Sequence, residues 1–200
     1  MMRKIGITGG IGSGKTTVCE IFKLLGIPIF HADQEAKYLQ NNDLIIKNQI
    51  IKLFGEDIYT SEEILDRQKL ATIIFNNKQA LFAINEIIHP AVRQRFQTWT
   101  ENFQAVPYSL YEAAILFESG YASDFDLNIL VLANEKLRIE RVINRDGTTE
   151  EIVKQRIRNQ IPDNEKIKLA DFIIENNANN LLIPQILKID KLIREDGKTW

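Results

Sequence analysis

An unbroken run, Gly9-Gly10-Ile11-Gly12-Ser13-Gly14-Lys15-Thr16, constrains this chain more than any other feature. It follows a short apolar stretch, Lys4-Ile5-Gly6-Ile7-Thr8, and precedes a segment with helical spacing. Strand, glycine loop, helix is the order that turns such a pattern into a phosphate site. Five of the nine residues from 6 to 14 are glycine. Glycine accepts φ values closed to other residues, so the backbone can wrap an anion and aim several N–H groups at it. The helix beginning near Gly14 adds uncapped N–H groups and the positive end of its dipole. Lys15 is placed to reach β- and γ-phosphates, and the Thr16 hydroxyl to ligate Mg²⁺. The segment Gly9, Gly10, Ile11, Gly12, Ser13, Gly14, Lys15, Thr16 and Thr17 is therefore the expected phosphate cradle. The competing reading, a glycine-rich turn that binds nothing, gives the Lys-Thr ending no purpose.

Two hundred residues, 44% of them hydrophobic, suit one globular α/β domain, with an inserted lobe allowed. A chain of this size buries about 70% of its unfolded surface, so neither disulfide nor structural metal is needed. Cys19 is the lone cysteine and cannot form an internal disulfide, which fits a reducing compartment. It sits among Val18, Ile21 and Phe22 and reads as core rather than as a reactive thiol. A net charge of −2 gives no reason to expect nucleic acid or an anionic membrane as partner. No apolar stretch approaches the ~20 residues that span a bilayer, and the first apolar run is too broken by glycine for a signal peptide. The expected location is cytoplasmic.

Apolar runs place strands at Arg3 to Thr8, Ile27 to Phe30, Tyr108 to Glu112, Leu127 to Leu132 and Phe172 to Ile174. Helical spacing fills Lys15 to Leu25, a segment from Ala32 to about Gln40, Asn134 to Asp146, Thr149 to Gln160 and Leu181 to Ile193. Thr148 with Glu151 reads as a capping box, and Gly197 to Trp200 as a frayed tail. The stretch from Asp43 to Phe103 is helical almost throughout, with one helix running from about Lys78 to Ile88 and another beginning at Pro90. The βαβ order implies a parallel sheet with right-handed crossovers. The expected division is a core of residues 1–40, 104–133 and 170–193, a helical insert over about 41–103 and a helical lid over about 134–160.

Asp33 stands just beyond the second strand, at the edge where open parallel sheets bind ligands. A hydroxyl attacking a γ-phosphate needs a carboxylate to orient it and take its proton; the alternative makes Asp33 the N-cap of its helix. His31 beside it reads as structural. Glu112 ends the strand expected beside the loop and is a candidate Mg²⁺ ligand, direct or through water, with Glu118 the other possibility. Arg138, Arg141 and Arg145 recur at helical spacing on one face. Such a row can close over phosphates, or simply be a solvated basic face.

With these pieces assembled, the sequence resembles the dephospho-coenzyme A kinase family. Gly6 to Val18 is similar to the family's opening, and Leu25-Gly26-Ile27-Pro28 with Ala32-Asp33 and Ala36 to its second motif. Phe54-Gly55, Arg67 to Leu70, Ile74-Phe75 and His89-Pro90 resemble its helical landmarks. Leu116-Phe117-Glu118, Arg141, Arg145-Asp146, Gln160, Ala170-Asp171 and Asn176-Asn177 complete the order. The resemblance implies ATP and Mg²⁺ as cofactors and a P-loop kinase fold. It also implies phosphoryl transfer to the ribose 3′-hydroxyl of dephospho-coenzyme A as small-molecule substrate. In that scheme Asp33, Lys15 and Arg141 are catalytic, Arg145 helps bind the nucleotide, and Asn176 and Asn177 lie near adenine. It leaves the oligomeric state open.

Some positions depart from the family's commonest pattern. His31 stands where an aspartate is frequent, Ala114 for a proline and Ser119 for an asparagine, while Asp163 and Lys166 replace arginines. Rival readings are another small-molecule or nucleoside monophosphate kinase, and a nucleotide-dependent switch. The switch is disfavoured because Asn77-Lys78-Gln79-Ala80 lacks the aspartate of a guanine-reading motif.

Overall fold

The computed structural model describes residues 2–75, 77–103 and 105–195; the expected tail at Gly197 to Trp200 lies outside them. In chain order the elements are β1 (Arg3–Thr8), α1 (Lys15–Leu24), β2 (Ile29–His31), α2 (Ala32–Asn42), α3 (Leu44–Phe54), α4 (Arg67–Phe75) and α5 (Lys78–Thr100). Then follow β3 (Tyr108–Glu112), β4 (Leu127–Leu132), α6 (Glu135–Asp146), α7 (Glu150–Arg158), α8 (Asp163–Leu169), β5 (Phe172–Glu175) and α9 (Leu182–Glu195). These elements form two compact units: Ala32–Asn102 is one, and the chain on either side of it is the other.

The sheet unit carries five parallel strands in the order β2-β3-β1-β4-β5. β1 is central, with Ile5 registered on Leu110 of β3 and on Leu127 of β4. Strands covered on both faces need apolar residues at successive positions, and β3 is buried along its whole length. Val18, Cys19 and Phe22 of α1 and Ile186, Ile189 and Ile193 of α9 pack with Ile5, Ile7, Leu110 and Ile129 into one core. β2 begins two residues later than its apolar run suggests. Pro28 cannot donate to a ladder, but its carbonyl accepts from the Leu110 N–H at 2.9 Å, and regular pairing then runs from Ile29 to His31.

The helical unit holds α2 to α5. The Asp43 side chain caps α3 by accepting from the Ile45 and Ile46 N–H groups. A turn of 3₁₀-helix, Glu56–Ile58, and a bridge between Tyr59 and Leu65 order the segment before α4. The expected break at Pro90 does not occur, because α5 runs through it for 23 residues. Proline removes one intrahelical bond, to the carbonyl four residues back. Yet Ile84, Ile88, Val92 and Phe96 keep a buried stripe on both sides of it, and that stripe holds the helix together.

Two further differences concern the region after β4. α7 starts one residue later than expected, with Thr149 at its N-cap and no side-chain capping bond. The Thr148–Glu151 box therefore does not form: with Thr149 as cap, the third helical residue is Ile152, which has no acceptor to return. α8 was not foreseen; its first turn is closed by the Pro162 carbonyl, which accepts from the Glu165 and Lys166 N–H groups.

Candidate active site

β1 delivers the chain directly into the phosphate loop. Gly12 and Gly14 have φ of 76° and 89°, values that disfavour any side chain. A Cβ on Gly9 would strike the Val131 carbonyl, one on Gly10 the Arg138 guanidinium, one on Gly12 the Arg138 backbone, and one on Gly14 the Asn176 amide. The glycines thus let protein as well as ligand approach the loop closely. The Ser13 N–H closes the turn onto the Gly10 carbonyl at 3.0 Å, and Lys15 Nζ donates to the Gly9 carbonyl at 2.9 Å. The Ser13 hydroxyl is buried with no hydrogen-bond partner. No side chain caps the start of α1, and Thr16 and Thr17 are exposed on its first turn. Uncapped N–H groups, a cradle that fits only glycine and an orphaned hydroxyl together suit an anion.

The three arginines of α6 part company. Arg138 is buried, donates from Nε to the Ile11 carbonyl at 2.9 Å, and pairs through Nη1 with Asp163 at 2.9 Å. It braces the loop from the protein side. Arg141 reaches the loop's far end: Nη2 donates to the Asn176 carbonyl at 3.1 Å, and Nη1 lies 3.4 Å from the Gly12 and Ser13 carbonyls. Arg145 pairs instead with Asp146, its neighbour in the chain, which also accepts from Arg156. Sequence reasoning missed the bracing role of Arg138, and the i, i+3, i+7 pattern carries no signal that separates a buried member from its neighbours.

Asn176 sits at the end of β5, buried, and donates from Nδ2 to the Ser13 carbonyl at 2.8 Å. The Asn177 side chain accepts from the Asn134 N–H at 2.8 Å. Beside them lies a cavity of about 620 Å³ lined by Ile21, Arg141, Asn176, Asn177, Leu182 and Pro184, among others. Its mixture of aliphatic walls and amide groups is the kind of surface that takes a flat heterocycle.

Among the carboxylates, Glu112 is buried at the end of β3 and accepts from His31 Nδ1 at 3.1 Å. That hydrogen bond raises the His31 pKa above its ordinary value, against the opposing pull of burial. Glu118 accepts from the Ile161 N–H at 3.2 Å and lies 3.0 Å from the wholly buried Lys166 ammonium. Asp33 is the second residue of α2, in the helical unit. Its helix starts at Ala32, so Asp33 stands inside the first turn rather than at the N-cap. Among the described residues no group of three His, Cys, Asp or Glu is arranged to hold a metal. Cys19 is fully buried, and burial pushes its thiol pKa far up, which leaves it inert at neutral pH.

A parallel sheet whose central strand feeds a glycine cradle, with Lys15 and Arg141 beside it, defines a P-loop kinase. A family model for dephospho-CoA kinase matches residues 3–181. The dephospho-CoA kinase of Bacteroides fragilis is 39% identical over 189 residues, spanning 94% of this chain and 92% of that protein. That of Porphyromonas gingivalis is 39% identical over 194 residues, spanning 96% and 95%. The chain belongs to the dephospho-CoA kinase family, whose reaction is the ATP-dependent phosphorylation of dephospho-CoA in coenzyme A synthesis. Among solved structures, a Thermus thermophilus protein superposes with a TM-score of 0.84 at 30% identity, over 98% of both chains. The dephospho-CoA kinase of Campylobacter jejuni does so at 0.69 and 27%, over 99% of this chain and 100% of that one. A shikimate kinase from Acinetobacter baumannii shares the fold, with a TM-score of 0.57 at 17% identity.

Proposed function

We propose that the γ-phosphoryl group of ATP is transferred to the ribose 3′-hydroxyl of dephospho-coenzyme A, giving coenzyme A and ADP, and that this takes place in the cytoplasm. The observation that carries the reading is the phosphate loop, with its two left-handed glycines and the Lys15 ammonium folded against it. Gly9 to Thr17 form the phosphate cradle, holding the phosphates through those backbone N–H groups that the protein does not itself engage, as it does those of Ile11 and Ser13. Lys15 and Arg141 offset the charge that develops on the transferred group, where a single arginine is worth roughly 10³–10⁵ in rate. Asp33 orients the attacking 3′-hydroxyl and accepts its proton, a contribution of about 10²–10⁴. The adenine ring lies in the cavity beside Asn176 and Asn177. Arg145 exchanges its exposed Asp146 partner for phosphate oxygens, since exposed ion pairs of that sort contribute little.

Mg²⁺ fits the donor set. The exposed Thr16 hydroxyl is a hard oxygen donor at the start of α1, and Glu112 supplies a carboxylate at the end of a neighbouring strand. Bound there, the ion would offset phosphate charge. Glu118 is the weaker candidate, because Lys166 and the Ile161 N–H both engage its Oε1, whereas the Glu112 carboxylate pairs only with the His31 imidazole among its described hydrogen bonds. Among the described residues no helix is long and apolar enough to cross a membrane.

The test is ADP release from Mg·ATP with dephospho-coenzyme A, with adenosine, with AMP and with no acceptor. Release that depends on dephospho-coenzyme A is expected. Equal release with AMP would replace the proposal by a nucleoside monophosphate kinase, and release without acceptor by a hydrolase.

A further inference from the structure

Ile11 occupies a position of the phosphate loop whose identity phosphate binding does not prescribe. In this chain the residue is gripped three ways. Its N–H donates to Gln160 Oε1 at 2.9 Å. Its carbonyl accepts from Arg138 Nε at 2.9 Å. Its side chain packs against the small apolar cluster of Ile139, Val142 and Val153. These groups come from α6, from α7 and from the segment just after α7. One loop residue is therefore bonded to α6 and to the segment after α7, and packs on a cluster to which both helices of the hairpin contribute. The Ile11 N–H is also spent on Gln160, so it serves the protein and not a phosphate.

We propose that Ile11 is a positioning residue that couples the phosphate loop to the α6–α7 hairpin, so that a loop settled around phosphates fixes the hairpin and, with it, Arg141. Arg141 lies three residues beyond Arg138 on the same helix, and its guanidinium reaches back to the Gly12 and Ser13 carbonyls. A hairpin that shifted independently of the loop would have to break two hydrogen bonds and withdraw an isoleucine from an apolar cluster. Packed, hydrogen-bonded elements of this kind transmit strain and can carry energetic coupling between sites. The anchoring also divides the lid. The Arg138 end is tied to the loop and to Asp163, while the exposed turn around Gly147 makes no such attachment through Arg145. The inference rests on nucleotide binding by the loop and on Arg141 acting in transfer, and not on the identity of the acceptor.

Amide hydrogen exchange with and without ADP, on wild type, Ile11→Ala and Ile11→Val, tests the coupling together with kcat and KM for ATP. In wild type, ADP is expected to slow exchange both in residues 15–24 and in residues 135–158. In Ile11→Ala the slowing persists in residues 15–24 and is lost in 135–158. Its kcat falls about 3- to 30-fold, the range of measured couplings of this type, while KM moves less. Ile11→Val, which keeps a branched apolar group in the cluster, restores both. Undiminished slowing in the hairpin of Ile11→Ala overturns the proposal. So does loss of slowing in both segments together, which marks general loosening, or a valine variant no better than alanine. The exchange result needs only ADP, so a wrong acceptor would abolish turnover in wild type and leave the exchange comparison standing.

Discussion

The guanidinium of Arg138 joins the Ile11 carbonyl of the phosphate loop to the Asp163 carboxylate of α8, each at 2.9 Å. One buried cation thus ties together the loop, the first helix of the hairpin and the helix that leads back to the sheet. Replacing Arg138 by methionine strands the carbonyl and removes a charge-assisted bond, and should cost about 1–3 kcal/mol in folding stability. Asp163 keeps 37% of its side chain exposed, so Asp163→Asn should cost less. Arg138→Lys should fail to restore stability, because one ammonium cannot match the fork of donors. Urea denaturation of the three variants measures this. A lysine variant as stable as wild type would show that the charge alone matters.

The proposed role of Asp33 rests on its position on the first turn of α2 and on the need for a carboxylate at the attacking hydroxyl. Asp33→Asn keeps size and polarity but cannot accept a proton. It should bind Mg·ATP within a few-fold of wild type while kcat drops by about 10²–10⁴. Equilibrium nucleotide binding and steady-state turnover separate the two effects, and unaltered turnover would remove Asp33 from the mechanism.

His89 gives the helical unit a pH dependence. Burial holds its pKa below the ordinary value, and Arg93 one turn along α5 pushes the same way against a weaker opposing effect of Glu86. A depressed histidine pKa means the unfolded chain binds a proton more readily than the folded one. Its contribution to stability is therefore complete above the unfolded pKa of about 6.5 and is lost as pH falls from there through the folded value. His89→Gln should show a shallower fall in melting temperature than wild type between about pH 7.5 and 5. Parallel curves for the two proteins would contradict this.

The strands were legible because β1, β3 and β4 are buried over most of their length, and that burial shows as clustered apolar residues broken only by single polar ones such as Ser109 and Asn128. The phosphate loop was legible because its glycines and its Lys-Thr ending are contiguous. What the sequence hid depends on partners far along the chain. Pro90 looked like a helix boundary, and only the burial of Ile84, Ile88, Val92 and Phe96 on one stripe shows why α5 continues. Asp163 and Lys166 stand where the family often has arginines; here they partner Arg138 and Glu118. Arg138 and Arg145 are indistinguishable in periodicity, yet one is buried against the loop and the other exposed beside Asp146. No local pattern encodes a contact spanning 25 or 127 residues.

In the proposed reaction the γ-phosphoryl group held at the loop goes to one particular hydroxyl, the ribose 3′-hydroxyl. Phosphorus–proton correlation NMR of the product formed from Mg·ATP and dephospho-coenzyme A tests it directly. The expected product carries a new phosphate coupled to the ribose H3′ proton, formed in equal amount with ADP. A phosphate coupled to H2′, or ADP accumulating with no phosphorylated acceptor, would contradict it.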